Sequence, residues 1–453
     1  MISSTAFLLL GLAAGLAVWA VVFLFRKGSL TAQRRAGVVF ALAVAQPLGL
    51  ELLGTRTLAP TGAVSTLSHN LSLAGRATNL TMVVLAATLL VAPAAHVGRG
   101  GRLLVAGVWA MACALFVANL YSPASGSVQY AFYFALALTA IVQGVSDRAA
   151  FLRWSRHTTR AVVAVSLGAT VVAPSWAFIG EGTLGYDRTI FGIPRLTGLS
   201  PHPNALAGIA VVALLLEVGH PDGRRWTRWA AVSAAATCMV LTQSNTGYIA
   251  AALGLVALLT ARRAAYRHLL ITASMVALVA YVVWPTALVP AALQSSDYVN
   301  SLSGRTEIWS VALGEWKHRP LTGYGPGVFS PDYVATHFPV TLQVTNGHDQ
   351  VVQTLAESGL LGALGLAGVI AATAACGWRA RRVDRGLSLA LVTSFWIFGI
   401  TETPMRVVGV AVVPALATLG VALVASRDAL EARAESVPEP AVRGLVPARE
   451  VAS

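Results

Sequence analysis

Apolar residues in this chain run in long blocks, broken by short polar turns in which arginine recurs. A backbone in lipid has no water to bond to, so an apolar block of about 20 residues reads as a helix that crosses a bilayer. Such blocks fall at 5–25, 36–53, 79–95, 103–121, 129–144, 161–179, 205–218, 229–242, 246–260, 269–288, 357–377, 387–402 and 407–425. They predict an all-α integral membrane protein, a polytopic bundle of about 12–13 transmembrane helices. No positive residue precedes the first block, and Arg26 and Lys27 follow it, so it does not read as a cleavable signal. One membrane domain is expected over 1–425. Residues 426–453, with three prolines and mixed charge, read as a disordered cytoplasmic tail.

Composition agrees with the pattern. Hydrophobic residues make up 56% of the 453 and charged residues only 11%; the mean hydropathy is +0.68. A soluble chain would be about 25% charged. The net charge of +13 would suit nucleic acid if it formed one patch. Instead most of the Lys and Arg fall in alternate loops, among them Arg26 and Lys27, Arg153 and Arg156, Arg224 and Arg225, and Arg379 and Arg381. That alternation is the positive-inside pattern of a multi-pass protein. It places the N-terminus outside and the tail in the cytoplasm, and no nucleic-acid partner is expected. Cys113, Cys238 and Cys376 lie in apolar blocks without disulfide or metal-ligand spacing. Trp154, Trp226 and Trp229 read as interfacial belt residues. Glu51 and Glu217 read as interfacial rather than catalytic.

Two outside loops are long and rich in chemistry, at about 180–204 and about 289–356. Within the second, a helix is predicted at 303–318, with Ser303 as its N-cap and Ile308, Val311 and Ala312 on one face. It should end before Arg319-Pro320. Gly323, Gly325 and Gly327 follow. No strand precedes them and no helix opens on them, so they read as a tight turn using positive φ rather than a dinucleotide loop. Glu402 and Arg406, four apart, read as a structural pair at the outer end of a span.

In order, these loops carry Arg195-Leu-Thr-Gly-Leu with Pro203-Asn204, Ser303-Gly-Arg305-x-x-x-Trp309, Pro320-Leu-x-Gly323-Tyr-Gly325-x-Gly327, His348-Asp349 and Glu357-Ser-Gly359-Leu-Leu-Gly362. That series resembles the bacterial O-antigen ligase and O-antigen polymerase superfamily, over roughly 195–365 as motifs. The resemblance implies a GT-C-type membrane glycosyltransferase of the bacterial cytoplasmic membrane, with its active site outside. Such an enzyme takes a glycan from a polyprenyl diphosphate and passes it to a glycan, lipid or protein acceptor, with no cofactor and no metal. Two positions depart from the pattern. Ser244-Asn245 stands where many relatives have Ser-Arg, and His348-Asp349 where many have His-Asn.

Chemistry points to the same residues. A diphosphate leaving group gains negative charge as the glycosidic bond breaks, and planar guanidinium groups suit it. Arg195 and Arg305 are therefore the expected clamp. An attacking hydroxyl must lose a proton, for which His348 is the expected base, oriented by Asp349 or Glu357. Tyr324, His202, Asn204, Arg319, His337, Asp349 and Glu357 are the expected substrate contacts, with Tyr324 stacking on a sugar. Attack opposite the leaving group would invert the anomeric centre. The polymerase reading, in which the acceptor is a second lipid-linked repeat, stays open. A transporter or flippase, the further alternative, would carry charges mid-span or repeated broken helices; the span interiors here carry almost no charge and show no such repeat. A purely structural scaffold would leave both motif-rich loops unexplained.

Overall fold

The computed structural model describes residues 31–54, 99–122, 124, 126–179, 192–221, 223–261, 297–338, 344, 346–406 and 411–435. The blocks at 5–25, 79–95 and 269–288, and much of the first long loop, lie outside these residues. The helices are α1 (Ala32–Gly54), α2 (Arg99–Leu120), α3 (Gln129–Gly144), α4 (Arg148–Val172), α5 (Pro203–Gly219), α6 (Arg225–Thr242) and α7 (Asn245–Ala261). They continue as α8 (Asp297–His318), α9 (Pro331–His337), α10 (Gln350–Ala380), α11 (Leu387–Gly399) and α12 (Val412–Glu435), with a single helical turn at Pro174–Ala177. Among the described residues no strand occurs beyond one isolated bridge, Phe178 to Leu196. Three stretches, Gly100–Leu120, Gln350–Ala380 and Val412–Ala432, are long and apolar enough to cross a membrane, and α5, α7 and α11 are shorter apolar helices. The chain is an all-α membrane protein.

The predicted blocks and the helices agree at α3 and nearly so at α1, α2, α5, α6 and α7. Four helices differ more. Helix α4 runs Arg148–Val172 where the block was 161–179, because hydropathy left its arginine-rich first turns in the loop. Helix α8 begins at Asp297, so Ser303 sits inside it and does not cap it. Helix α10 begins at Gln350 and gains a polar first turn that hydropathy alone left in the loop. Helix α12 continues through Ser426 to Glu435, inside the stretch expected to be disordered. There Arg427 lies 3.6 Å from Glu431 one turn on.

Lipid tails are as apolar as leucine, so helices in a membrane associate through close packing and small residues. The most extensive contact is α2 against α10. A Cβ on Gly107 would lie 2.9 Å from a Val369 methyl and 3.1 Å from the Gly365 carbonyl; one on Gly365 would lie 2.9 Å from the Met111 backbone nitrogen. Helices α7 and α11 meet similarly, where Ser394 Oγ donates to the Ala250 carbonyl at 2.7 Å. Phe151, Ile141, Leu138, Leu215 and Leu216 fill the main core.

Two residues find partners that sequence did not foresee. Glu217, near the end of α5, is buried within the protein, 1% exposed. Arg160 holds it with bonds of 2.5 and 2.7 Å, and Arg156 adds one of 3.1 Å. A lone carboxylate there would cost several kcal/mol, so the arginines are a condition of its burial. Trp154 packs against Phe40 and Phe151, 6.4 and 6.2 Å away, and against Gly37 of α1. Trp226 and Trp229 are exposed.

Helix α10 is broken at Gly359, whose φ of 61° and ψ of −156° only glycine adopts readily. The break would strand two carbonyls and two N–H groups, which is costly where water is absent. The segment after α8 takes all four. Tyr324 N donates to the Ala356 carbonyl and Gly325 N to the Glu357 carbonyl, both at 2.8 Å; Leu360 N donates to Pro320 at 2.8 Å and Leu361 N to Leu321 at 3.2 Å. Gly323 and Gly325, with φ of 67° and 83°, make the turn. A Cβ on Gly323 would lie 2.7 Å from the Ala356 carbonyl and from the Gly359 nitrogen. The Pro320–Gly327 and Glu357–Gly362 motifs are thus two halves of one crossing. It anchors a small second core of Ile308, Ala312, Val328, Phe329 and Phe338, on which α8 and α9 rest.

Candidate functional site

Five predicted residues, Arg195, His202, Asn204, Arg305 and His348, gather around one carboxylate, Glu402. It lies in the turn after α11, where its backbone N–H bonds the Phe398 carbonyl at 2.9 Å. The turn is fixed from two sides. Thr401 Oγ1 lies 2.5 Å from Thr246 Oγ1 at the start of α7, and Met405 N donates to Gln350 Oε1 at 2.8 Å at the start of α10.

From that position Glu402 Oε1 accepts from Arg305 Nη2 at 3.0 Å and from Asn204 Nδ2 at 2.5 Å. Asn204 Oδ1 in turn accepts from Arg195 Nη2 at 2.7 Å. Arg195 is buried, and its Nε donates to the Thr242 carbonyl at 3.0 Å, one of the carbonyls left open where α6 ends. The backbone either side is held too, since Leu196 N bonds the Leu241 carbonyl. The two arginines expected to form a clamp are therefore joined through Asn204 and Glu402.

His348 approaches from the opposite side. Its Nδ1 lies 3.7 Å from Glu402 Oε2, an ion-pair distance longer than a hydrogen bond. The loop that carries it is tightly built. Trp309 Nε1 bonds the Gly347 carbonyl at 2.8 Å, Gln353 Oε1 accepts from Gly347 N at 2.5 Å, and Asn346 Oδ1 accepts from His348 N at 2.8 Å. His348 itself has a φ of 47°, uncommon for a residue with a Cβ. His202 completes the group as the N-cap of α5, its Nδ1 accepting from Asn204 N at 3.2 Å.

Burial alone would raise the Glu402 carboxyl pKa, but His348, Arg305 and His202 outweigh it and hold the group down at about 2. Burial pushes His202 down to about 4, with Arg195, His348 and Arg305 adding to that against the pull of Glu402. At neutral pH the site therefore holds an ionised Glu402, a neutral His202 and two guanidinium groups. One carboxylate against two arginines leaves a surplus positive charge.

The remaining predicted residues lie elsewhere. Asp349 caps α10, its Oδ1 accepting from Val351 N and Val352 N at 2.7 and 2.8 Å. Glu357 faces Arg406, 3.9 Å from its Nε. The carboxylate at ion-pair distance from His348 is thus that of Glu402, where Asp349 or Glu357 was expected. Tyr324, Arg319 and His337 belong to a second cluster. The Arg319 guanidinium lies 5.3 Å from the Tyr324 ring centre, Tyr324 lies 5.8 Å from Tyr333, and His337 stacks on Tyr333 at 3.9 Å. Tyr333 donates to Glu315 Oε2 at 2.7 Å.

Glu402 is the residue that sequence reasoning misassigned. The expected pair with Arg406 does not form: Arg406 turns to Glu357, and Glu402 to Arg305. The signal lay in a rule already applied, that an acid at the end of a span needs a partner. Sequence spacing chose the neighbour, whereas folding brought in a partner from another loop.

Residues 230–367 match the family model described as O-antigen ligase. A comparison with curated proteins finds no match. The matched segment contains Arg305, His348 and the Gly323–Gly359 crossing, while Arg195, Asn204 and Glu402 flank it in sequence and complete the same cluster in space. The match over residues 230–367 of this membrane chain supports membership of the O-antigen ligase superfamily and a function in glycan transfer.

Proposed function

We propose that this protein transfers a glycan from a polyprenyl diphosphate to an acceptor hydroxyl on the extracytoplasmic face of the bacterial cytoplasmic membrane, without a metal. The observation that carries this reading is the chain Arg195–Asn204–Glu402–Arg305 beside His348. Two guanidinium groups offset by one carboxylate leave a charge that suits a diphosphate. Partial burial strengthens that attraction over its value in water. The clamp supplies the cationic stabilisation that a departing polyprenyl diphosphate needs.

His348 acts as the general base. Its Nδ1 faces Glu402, which leaves Nε2 for the acceptor hydroxyl. Glu402 is a positioning residue that favours the imidazolium formed when the proton arrives, and it sets Arg305 at the same time. Attack opposite the departing diphosphate inverts the anomeric centre. For sidedness, Asn204 and Glu217 lie near opposite ends of α5, about 20 Å apart along its axis. Arg156, Arg160 and Arg228 gather at the Glu217 end, the end that the positive-inside pattern places in the cytoplasm.

The test uses purified full-length protein in nanodiscs with lipid-linked glycan extracted from the source organism. Wild type should release polyprenyl diphosphate and transfer the glycan. Arg305→Ala and His348→Ala should each fall by about 100-fold or more while remaining folded. A ladder of products from donor alone identifies a polymerase; a single transfer to a separate acceptor identifies a ligase. Full turnover in both variants would overturn the site.

A further inference from the structure

A second cleft lies beside the Glu402 cluster, walled by α2, α3, the first turns of α10 and the end of the Glu402 turn. Val108, Met111 and Phe134 line it with apolar side chains, and Tyr130, Glu357 and Arg406 line it with polar ones. Glu357 is 6% exposed. Among the described residues its Oε1 accepts no hydrogen bond, and the Arg406 Nε is 3.9 Å away. A buried carboxylate oxygen left without a donor is costly, and such groups inside a membrane mark ligand sites more often than packing. Gln350 and Thr354, by contrast, satisfy one another at 3.2 Å and hold the Met405 backbone. The lining therefore holds one buried acceptor without a donor among the described residues.

We propose that this cleft binds a sugar ring of the transferred or accepting glycan, with Glu357 accepting from a ring hydroxyl and Tyr130 and Arg406 completing the polar side. The inference rests on the glycan-transfer reading above. Three observations select a sugar. Glu357 and Arg406 offset one another, so the cleft favours a neutral polar ligand over an ion. The apolar side chains suit the C–H face of a pyranose and the polar ones its hydroxyls; a polyprenyl tail would leave Glu357 and Arg406 unanswered. Arg406 also shares its turn with Glu402, so a ring held here lies next to the proposed reaction centre.

Equilibrium binding to full-length protein in nanodiscs tests this with two labelled probes. One is the oligosaccharide freed by mild acid from the organism's lipid-linked glycan. The other is delipidated envelope glycan from the same cells. At least one probe should bind wild type, and bind Glu357→Gln about 10-fold more weakly. The probe that does so assigns the ring to donor or acceptor. Tyr130→Phe removes only a hydroxyl, and serves if Glu357→Gln fails to fold; it should weaken the same probe several-fold. Unchanged binding in both variants, or no binding of either probe to wild type, overturns the proposal. The glycan-transfer reading fails separately, if wild type consumes no lipid-linked donor while a probe still binds in a Glu357-dependent way.

Discussion

Replacing Glu402 by glutamine keeps the shape of the side chain and removes its charge. The Arg305 and Asn204 bonds to Oε1 retain an acceptor, but Arg305, His348 and Arg195 lose the anion that offsets them. A carboxyl lowered from 4.5 to about 2 in the folded protein, at about 1.4 kcal/mol per pH unit, corresponds to roughly 3 kcal/mol of stability. Because the folded value is the depressed one, this contribution is complete above about pH 4.5 and is lost as the pH falls towards 2. Denaturant unfolding in mixed micelles should therefore show Glu402→Gln less stable than wild type by about 3 kcal/mol at neutral pH. The gap should narrow below about pH 4.5 and close as the pH falls through about 2, since wild type loses what the variant never had. Donor turnover should drop by about 100-fold, in kcat more than in KM. A variant with wild-type stability and an unchanged acid profile would refute the assignment of Glu402 as the charged hub.

Other perturbations report on the scaffold. Gly359→Ala places a Cβ 2.5 Å from the Leu321 carbonyl carbon and oxygen, at a φ that L side chains avoid; the cost is about 3 kcal/mol or more, read as loss of folded protein in detergent gel filtration. Asp349→Ala removes the cap on α10 and should cost about 1 kcal/mol in denaturant unfolding, with Asp349→Ser restoring most of it.

Much of the architecture was legible because bilayer crossing imposes one strong rule, that long apolar blocks become helices. Hydropathy found α3 to the residue and α5, α6 and α7 nearly so. It misplaced the start of α10 because Gln350, Gln353 and Thr354 are polar yet buried against other parts of the protein. It missed the opening turns of α8 because Ser303 was read as the N-cap, whereas the helix starts at Asp297. The site was legible in its members but not in its connections. Arg195, Asn204, Arg305 and His348 could be named from loop chemistry and motif order. Glu357, Tyr324 and His337 looked equally suitable by type, and only their partners in space separate them from the Glu402 group.

The sequence by itself determined the membrane-spanning helical class, the orientation pattern of its arginines and the kinds of side chain available for anionic chemistry. Those follow from local composition, which the bilayer reads one segment at a time. Tertiary structure alone decided that Glu402 answers Arg305 instead of Arg406, and that Glu217 is buried under Arg156 and Arg160. It also decided that a glycine turn completes the broken α10. Each of these is a pairing between groups far apart in the chain, selected by the cost of leaving a buried charge or backbone group unanswered.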